Sequence, residues 1–392
     1  MVYYIPYCIA AEIHVHPGES IQAAINSASD ANDIVIVYDG TYTGPGNVNI
    51  DFGGKAITVK SKNGPANCII DCGNVNENRG FYFRSGETSS SVLDGFTIRN
   101  GKFEYPDNPV GFGGGILCTN SSPTIMNNII EENTADHGGG INCHQSSPTI
   151  SECIIKNNSV TISGGGFLLY YSSPTIINCT ISNNIAGKLG GGIRLYNSNP
   201  LIKNCSFNSN KAMGDGDYYS GGGGIFCDVS SPDIVNCIFS NNIATNRGGG
   251  GIKCWDRSSP TITNCTIGEN RAGFNGGGIF CDGQSSPMVI NSILWGDTAG
   301  GGLNEIDLSI NSSITISYSD VQGGQGGEGN IDANPLFINP NLGNYKLQSG
   351  SPCIDVGTSN GAPSEDKDGN LRDNNPDIGA YEFILPSIAV EP

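Results

Sequence analysis

"GGGIFCDVSSPDIVNCIFSNNIA" occupies Gly222 to Ala244, and close variants of it recur on both sides. Upstream lie "GGGINCHQSSPTISECIIKNNSV" and "GGGIRLYNSNPLIKNCSFNSNKA"; downstream lies "GGGIKCWDRSSPTITNCTIGENRA". Repetition at a fixed period of this length is the mark of stacked units, each of which buries its apolar side chains only against its neighbours. Pro123, Pro148, Pro174, Pro200, Pro232, Pro260 and Pro287 mark the period, with spacings of 25, 26, 26, 32, 28 and 27 residues. Inside each unit, short β-branched runs are broken by Gly, Ser-Ser-Pro and Asn-Asn, which are turn signals. Continuous helical periodicity is absent. Three short strands and three bends per unit therefore predict one coil of a right-handed parallel β-helix, an all-β solenoid.

The columns of the repeat carry the prediction further. Ile116, Ile141, Phe167, Ile193, Ile225, Ile252 and Ile279 follow the glycine triplets and should stack inward. Two positions on, Cys118, Cys143, Leu169, Leu195, Cys227, Cys254 and Cys281 point the same way by the two-residue alternation of a strand. Cys153, Cys179, Cys205, Cys237 and Cys265 form a second cysteine column, and Asn133, Asn158, Asn184, Asn210, Asn242 and Asn270 an asparagine column at a bend. In-register neighbours on adjacent coils sit ~4.8 Å apart, further than the ~3.8 Å Cβ separation of a disulfide, so the ladder cysteines are expected free. Cys68 with Cys72, or Cys8 with Cys353, remain able to pair outside the ladders.

The 392 residues divide into a leader or first strand (1–15), an N-terminal cap with irregular coils (16–110), regular coils (111–296), irregular last coils (297–333), a C-terminal cap (334–385) and a tail (386–392). A helix from about Glu19 to Ala28, with an apolar stripe of Ile21, Ala24, Ile25 and Ala28, should plug the N-terminal end. "MVYYIPYCIAA" reads either as the apolar half of a secretion signal or as a retained strand. The apolar tails "VYYIPYCIAA" and "FILPSIAVEP" could pack on the solenoid wall or add to a neighbouring copy, building a homo-oligomer or filament. A net charge of −18 argues against nucleic acid and anionic membrane surfaces, and no stretch is long enough to span a bilayer. The same charge fits an acidic extracellular protein.

At these residues a resemblance to known families enters. "IQAAINSASDANDIVIVYDGTY" is similar to the opening of secreted β-helix proteins of the pectin-lyase-like superfamily. The "GGGI" and "FxxN" elements resemble repeats of polymorphic outer membrane proteins. "NPLFINPNLGNYKLQSGSPCIDVGT", continued by "DKDGNLRDNNPDIGAYE", resembles the choice-of-anchor Q domain. The resemblance implies the fold and a secreted or cell-surface setting. That superfamily includes lyases, hydrolases, adhesins and passive surface proteins, so function must come from the site.

Candidate chemistry gathers on the outward columns of the glycine strand. Leu117, Asn142, Leu168, Arg194, Phe226, Lys253 and Phe280 form one; Thr119, His144, Tyr170, Tyr196, Asp228, Trp255 and Asp282 form the other. Aromatic rings flanked by hydrogen-bonding groups suit a polysaccharide, which assigns Tyr170, Tyr196, Trp255, Arg194 and His144 to ligand binding. A structural or adhesive surface protein is the reading this favours. The rival is a polysaccharide lyase or glycoside hydrolase using Asp228 and Asp282, two coils and ~9.6 Å apart by strand spacing, with Lys253 beside them. The resemblance implies calcium-binding carboxylates beside a basic residue for such lyases, and no packed cluster of that kind is evident. Calcium is expected instead at "EDKDGNLRD", where Asp366, Asp368, Asn370 and Asp373 alternate around Gly369, and second at "GDGD" (Gly214 to Asp217) in the 32-residue coil.

Overall fold

In the computed structural model, which describes residues 10–29, 32–105 and 111–385, the repeat closes into a right-handed parallel β-solenoid of about ten turns. Residues 1–9 and 386–392 lie outside the described residues, and with them Cys8 and most of both apolar tails. Each regular coil contributes to four parallel sheets rather than the three expected. A ten-stranded sheet carries the segments after the glycine triplets, such as Ile193–Tyr196, Ile225–Asp228 and Ile252–Trp255. A twelve-stranded sheet holds the segments after the prolines, and an eleven-stranded sheet those after the second cysteines. With two longer exceptions, Thr134–His137 and Ser159–Ser163, the fourth is built from two-residue strands such as Ile185–Ala186, Lys211–Ala212 and Ile243–Ala244. Segments that short carry no alternation to read, which is why the sequence shows them only as a bend.

Register is kept from coil to coil: Ile193 pairs with Ile225 and Ile225 with Ile252. Every member of the inward isoleucine and cysteine columns is fully buried, in one continuous core. All thirteen cysteines among the described residues are free thiols, the ladder cysteines as expected and Cys68 and Cys72 as well, so the pairing open to those two is not formed. The glycine triplets mark the tightest corner. A Cβ on Gly223 would stand 2.4 Å from the Gly250 carbonyl oxygen, and Gly222 has φ +68°, where side chains are strained.

The asparagine column is a hydrogen-bonded ladder. Each backbone N–H and each Nδ2 donates to the Oδ1 of the next coil's asparagine at 2.9–3.1 Å, from Asn133 through Asn270. A serine ladder runs at another corner, after the glycine-sheet strands, from Ser121 to Ser285, with each N–H donating to the next Oγ at 3.0–3.1 Å. Buried turns in a solenoid have no water to satisfy them, so a side chain on each coil serves the backbone of its neighbour.

At its last step the asparagine ladder ends on Asp297, whose Oδ1 accepts from Asn270 N (2.7 Å) and Nδ2 (2.9 Å). The carboxylate of Glu305 accepts from the N–H groups of Gly296 (3.0 Å) and Asp297 (3.2 Å). Burial pushes both carboxyls above their ordinary range, and the charge of Asp297 raises Glu305 further, so the folded pair keeps a proton at neutral pH. The folded state then binds more protons than the unfolded chain, and stability falls as pH rises above the usual carboxyl pKa. Glu305→Gln supplies a hydrogen without titrating. Its Tm should match the parent near pH 4 and exceed it increasingly towards pH 9. The gap in stability should widen by up to about 1.4 kcal/mol per pH step while the folded parent holds a proton that its unfolded chain has lost. A Tm difference that does not change with pH would count against the shared proton.

The ends are closed as the sequence implies, with one difference. The helix, Ile21–Ser27, is capped by Ser20, whose Oγ accepts from Ala23 N, and buries Ile21, Ala24 and Ile25 against the first coil. Lys55 Nζ satisfies its last carbonyls, those of Ile25, Asn26 and Ala28, at 2.7–2.9 Å. The C-terminal region is not confined to the end. It runs back along the outside of the solenoid, where Asn291, Asn264 and Asn236 donate to the carbonyls of Thr358, Asp377 and Glu365 (2.7–3.1 Å). Lys367 reaches the Asn204 carbonyl at 2.8 Å. Among the described residues no helix is long and apolar enough to cross a membrane.

Candidate functional site: a groove on the glycine sheet

Two positions of alternation set the outward side chains of the glycine sheet, and the connections leading into each glycine triplet rise over them. The first outward column is consequently buried rather than open: Leu117, Asn142, Leu168 and Arg194 are each at most 8% exposed, and Phe226, Lys253 and Phe280 at most 5%. Over coils 117 to 196 these side chains form the floor of a groove of about 740 Å³. One flank is the second outward column, Thr119, His144, Tyr170 and Tyr196. The other comes from the connections: Phe112, His137, Ile162, Ser163 and Leu189. Tyr82 stands at one end and Tyr219 at the other.

In-register stacking places the rings of His144, Tyr170 and Tyr196 one above another, with centroids 5.2 and 5.0 Å apart and planes within 12°. Their faces are turned largely to each other, so the groove receives ring edges and hydroxyls. Tyr171 meets both tyrosines edge-on, at 4.7 and 5.7 Å. On the opposite flank, His137 stacks on Phe112 (5.2 Å) and its Nδ1 lies 2.8 Å from Ser163 Oγ. Burial holds the His137 pKa below its ordinary value, so this flank is neutral at pH 7.

The Tyr219 end is built by the 32-residue coil. Arg194 donates to Asp228 Oδ2 at 2.7 Å and to the Leu195 carbonyl at 2.9 Å, and the Tyr219 hydroxyl bonds to both Arg194 and Asp228. Burial raises the Tyr219 hydroxyl further above its ordinary range, so it stays protonated. Behind it, Lys253 Nζ donates to the carbonyls of Tyr218 (3.1 Å) and Ser220 (2.8 Å). Burial pulls the Lys253 amine down to about 8. Trp255 packs against Tyr218 and Tyr219 on that far side, at 6.2 and 5.5 Å. In the loop of Gly214 to Asp217, Arg247 binds the carbonyls of Gly216 and Asp217, and Lys188 pairs with Asp215.

Of the residues singled out from sequence, the structure gathers His144, Tyr170, Tyr196 and Arg194 in one groove and sets Trp255 beyond Tyr219. Asp228 is committed to Arg194. Asp282 accepts from Gly283 N (2.7 Å) and from Ser309, and its Oδ2 has no partner. Neither carboxylate, nor Lys253, lines the groove. Of the residues expected to hold calcium, Asp366 and Asn370 meet in one turn, while the carboxylates of Asp368 and Asp373 are engaged elsewhere. Both oxygens of Asp366 accept from its own turn and from Glu382 N, Asp368 pairs with Lys346 (2.5 Å), and Asp373 accepts from Asn375 N. Among the described residues no three His, Cys, Asp or Glu side chains stand together as a metal site requires.

The His137 flank escaped the sequence reading because its strands, Thr134–His137 and Ser159–Ser163, belong to the fourth sheet, and Tyr219 because it lies where the repeat is interrupted. The one signal for Tyr219 was the length of the coil that carries "GDGDYYS".

Residues 33–189 and 127–267 match the family model described as a right handed beta helix region. The match ends before residue 334, so the choice-of-anchor Q resemblance rests on its own residues. A sequence search finds no match among curated proteins. Among solved structures, pectate lyase Pel9A is similar over 96% of this chain and 97% of its own, with TM-score 0.61 and 16% identity. ORF18 of Geobacillus virus E2 is similar over 80% of this chain and 62% of its own, with TM-score 0.51 and 16% identity. Likeness at this identity speaks to the fold.

Proposed function

The chain belongs to the right-handed β-helix family, and on that premise we propose that it is an extracellular, non-catalytic carbohydrate-binding protein. The observation that carries the reading is the groove: hydroxyl-bearing ring edges and hydrogen-bonding side chains along an apolar, preformed floor. Such a combination suits a saccharide chain, which presents apolar C–H patches between its hydroxyls. A solved protein of the same fold is a pectate lyase, and the acidic net charge fits a surface or secreted setting. Neither carboxylate of the rival lyase or hydrolase reading lines the groove, and Asp228 is committed to Arg194 and Tyr219, which favours binding without turnover.

Affinity electrophoresis and calorimetry on a panel of soluble polysaccharides test this. At least one chain should bind, and Tyr170→Ala or Tyr196→Ala should weaken it about tenfold, the worth of a lost aromatic contact and hydroxyl bond. The Asp366 turn has no groove residue among its partners, so affinity should be the same with calcium or with chelator. New reducing ends or unsaturated products that vanish in Asp228→Asn would replace this reading with the enzymatic one.

A further inference from the structure

Apart from Arg194 at its Tyr219 end, the floor of the groove contains one polar interruption. Asn142 sits between Leu117 and Leu168 in register, is 1% exposed, and its Nδ2 has no hydrogen-bond partner within the protein. A buried amide left unpaired costs free energy comparable to a lost hydrogen bond, and an all-leucine floor would avoid that cost. The Asn142 side chain lines the groove, where a ligand oxygen could accept from it.

The cations around the groove are paired or buried. Arg194 is neutralised by Asp228 at 2.7 Å, Lys188 is paired with Asp215, and Lys253 is sealed behind Tyr219 on backbone carbonyls. Arg79, at the Tyr82 end, has no carboxylate partner among the described residues and one guanidinium nitrogen without a hydrogen bond, but it is 3% exposed, buried against the rings of Tyr82 and Phe103 at 5.1 and 3.8 Å. Asp136 adds negative charge beside His137. A uronate entering here would lose its hydration without meeting an unpaired cation in the groove lining, which is costly for a charged group. An uncharged polyol would leave nothing unpaired.

Resting on the groove reading above, we infer that the groove selects uncharged saccharide chains over uronate chains, with the Asn142 amide as the donor that recognises a ligand oxygen. The test compares neutral polysaccharides with polygalacturonate on the full chain, and Asn142→Leu with the parent. A neutral chain should bind at least tenfold more tightly than polygalacturonate, and raising salt should leave its affinity unchanged. Asn142→Leu should raise Tm, because the orphan donor is gone and the floor is continuous, while weakening the neutral chain about tenfold. Asn142→Ala, which adds no bulk, should weaken binding similarly.

Tighter binding of polygalacturonate, or binding that salt abolishes, would overturn the selectivity and leave the groove reading standing. Unchanged affinity in both Asn142 variants would remove that residue from recognition. Binding of no polysaccharide of either class would sink the groove reading itself and the inference with it.

Discussion

Ile225→Asp should leave no soluble folded protein. Ile225 has no exposed surface and is stacked between Ile193 and Ile252, with Cys227 two residues on in the same core. An ionised carboxylate there has neither water nor a partner, and the chain would have to protonate it or open the coil. Losses above ~4 kcal/mol come from a short set of causes, and an unpaired buried charge is among them. The narrow interior cannot rearrange, because each coil is held in register by the two beside it. Ile225→Val removes one methylene and should cost only about 1 kcal/mol. Thr175→Asp puts the same carboxylate on the outward face, at the position Asp233 occupies two coils on, and should be tolerated. Soluble yield and far-UV circular dichroism of the three variants separate these outcomes. A folded, β-rich Ile225→Asp protein at neutral pH would contradict the assigned inward face.

Asn184→Ala should be the next most damaging change, on the order of 3 kcal/mol. The Asn184 Oδ1 accepts from Asn158 N (3.1 Å) and Asn158 Nδ2 (3.0 Å), while its Nδ2 donates to the Ile155 carbonyl (2.9 Å) and to Asn210 Oδ1 (3.0 Å). Asn158, Asn184 and Asn210 have no exposed surface. Truncation therefore strands donors and an acceptor that water does not reach, at roughly 1–3 kcal/mol for each group left unpaired, with partial relaxation. Urea unfolding followed by circular dichroism reads the loss, with exposed Thr180→Ala, expected within ~0.5 kcal/mol, as the reference. A loss below ~1 kcal/mol would mean that the ladder is ornamental to stability. Asn184→Asp keeps the acceptor and should fall between parent and alanine at low pH, in the manner of Asp297 at the ladder's end.

These two residues show which parts of the molecule local sequence can specify. Ile225 reads as core from the two-residue alternation and the repeat alone, since only one face of each strand can be inside. Asn184 reads as a ladder member because an amide at one bend in successive coils has the same amide above and below it. The groove is different. His144, Tyr170 and Tyr196 were visible as an outward column, yet sequence could not show that their faces would turn to one another. Nor could it show that the neighbouring column, from Leu117 to Phe280, would be covered.

The sequence by itself determined the coil, its period, its inward columns and the capping helix, because these follow from contacts between equivalent positions on adjacent turns. Only the tertiary structure decided the fourth sheet, the path of the C-terminal region back to Asn204, and the groove. It also decided the fate of the charges, binding Arg194 to Asp228 and Tyr219 and leaving Asn142 without a partner. The physical reason is common to all of these. They depend on connections of unequal length and irregular sequence, whose side chains settle where packing and unpaired polar groups direct them. No periodic rule records that outcome.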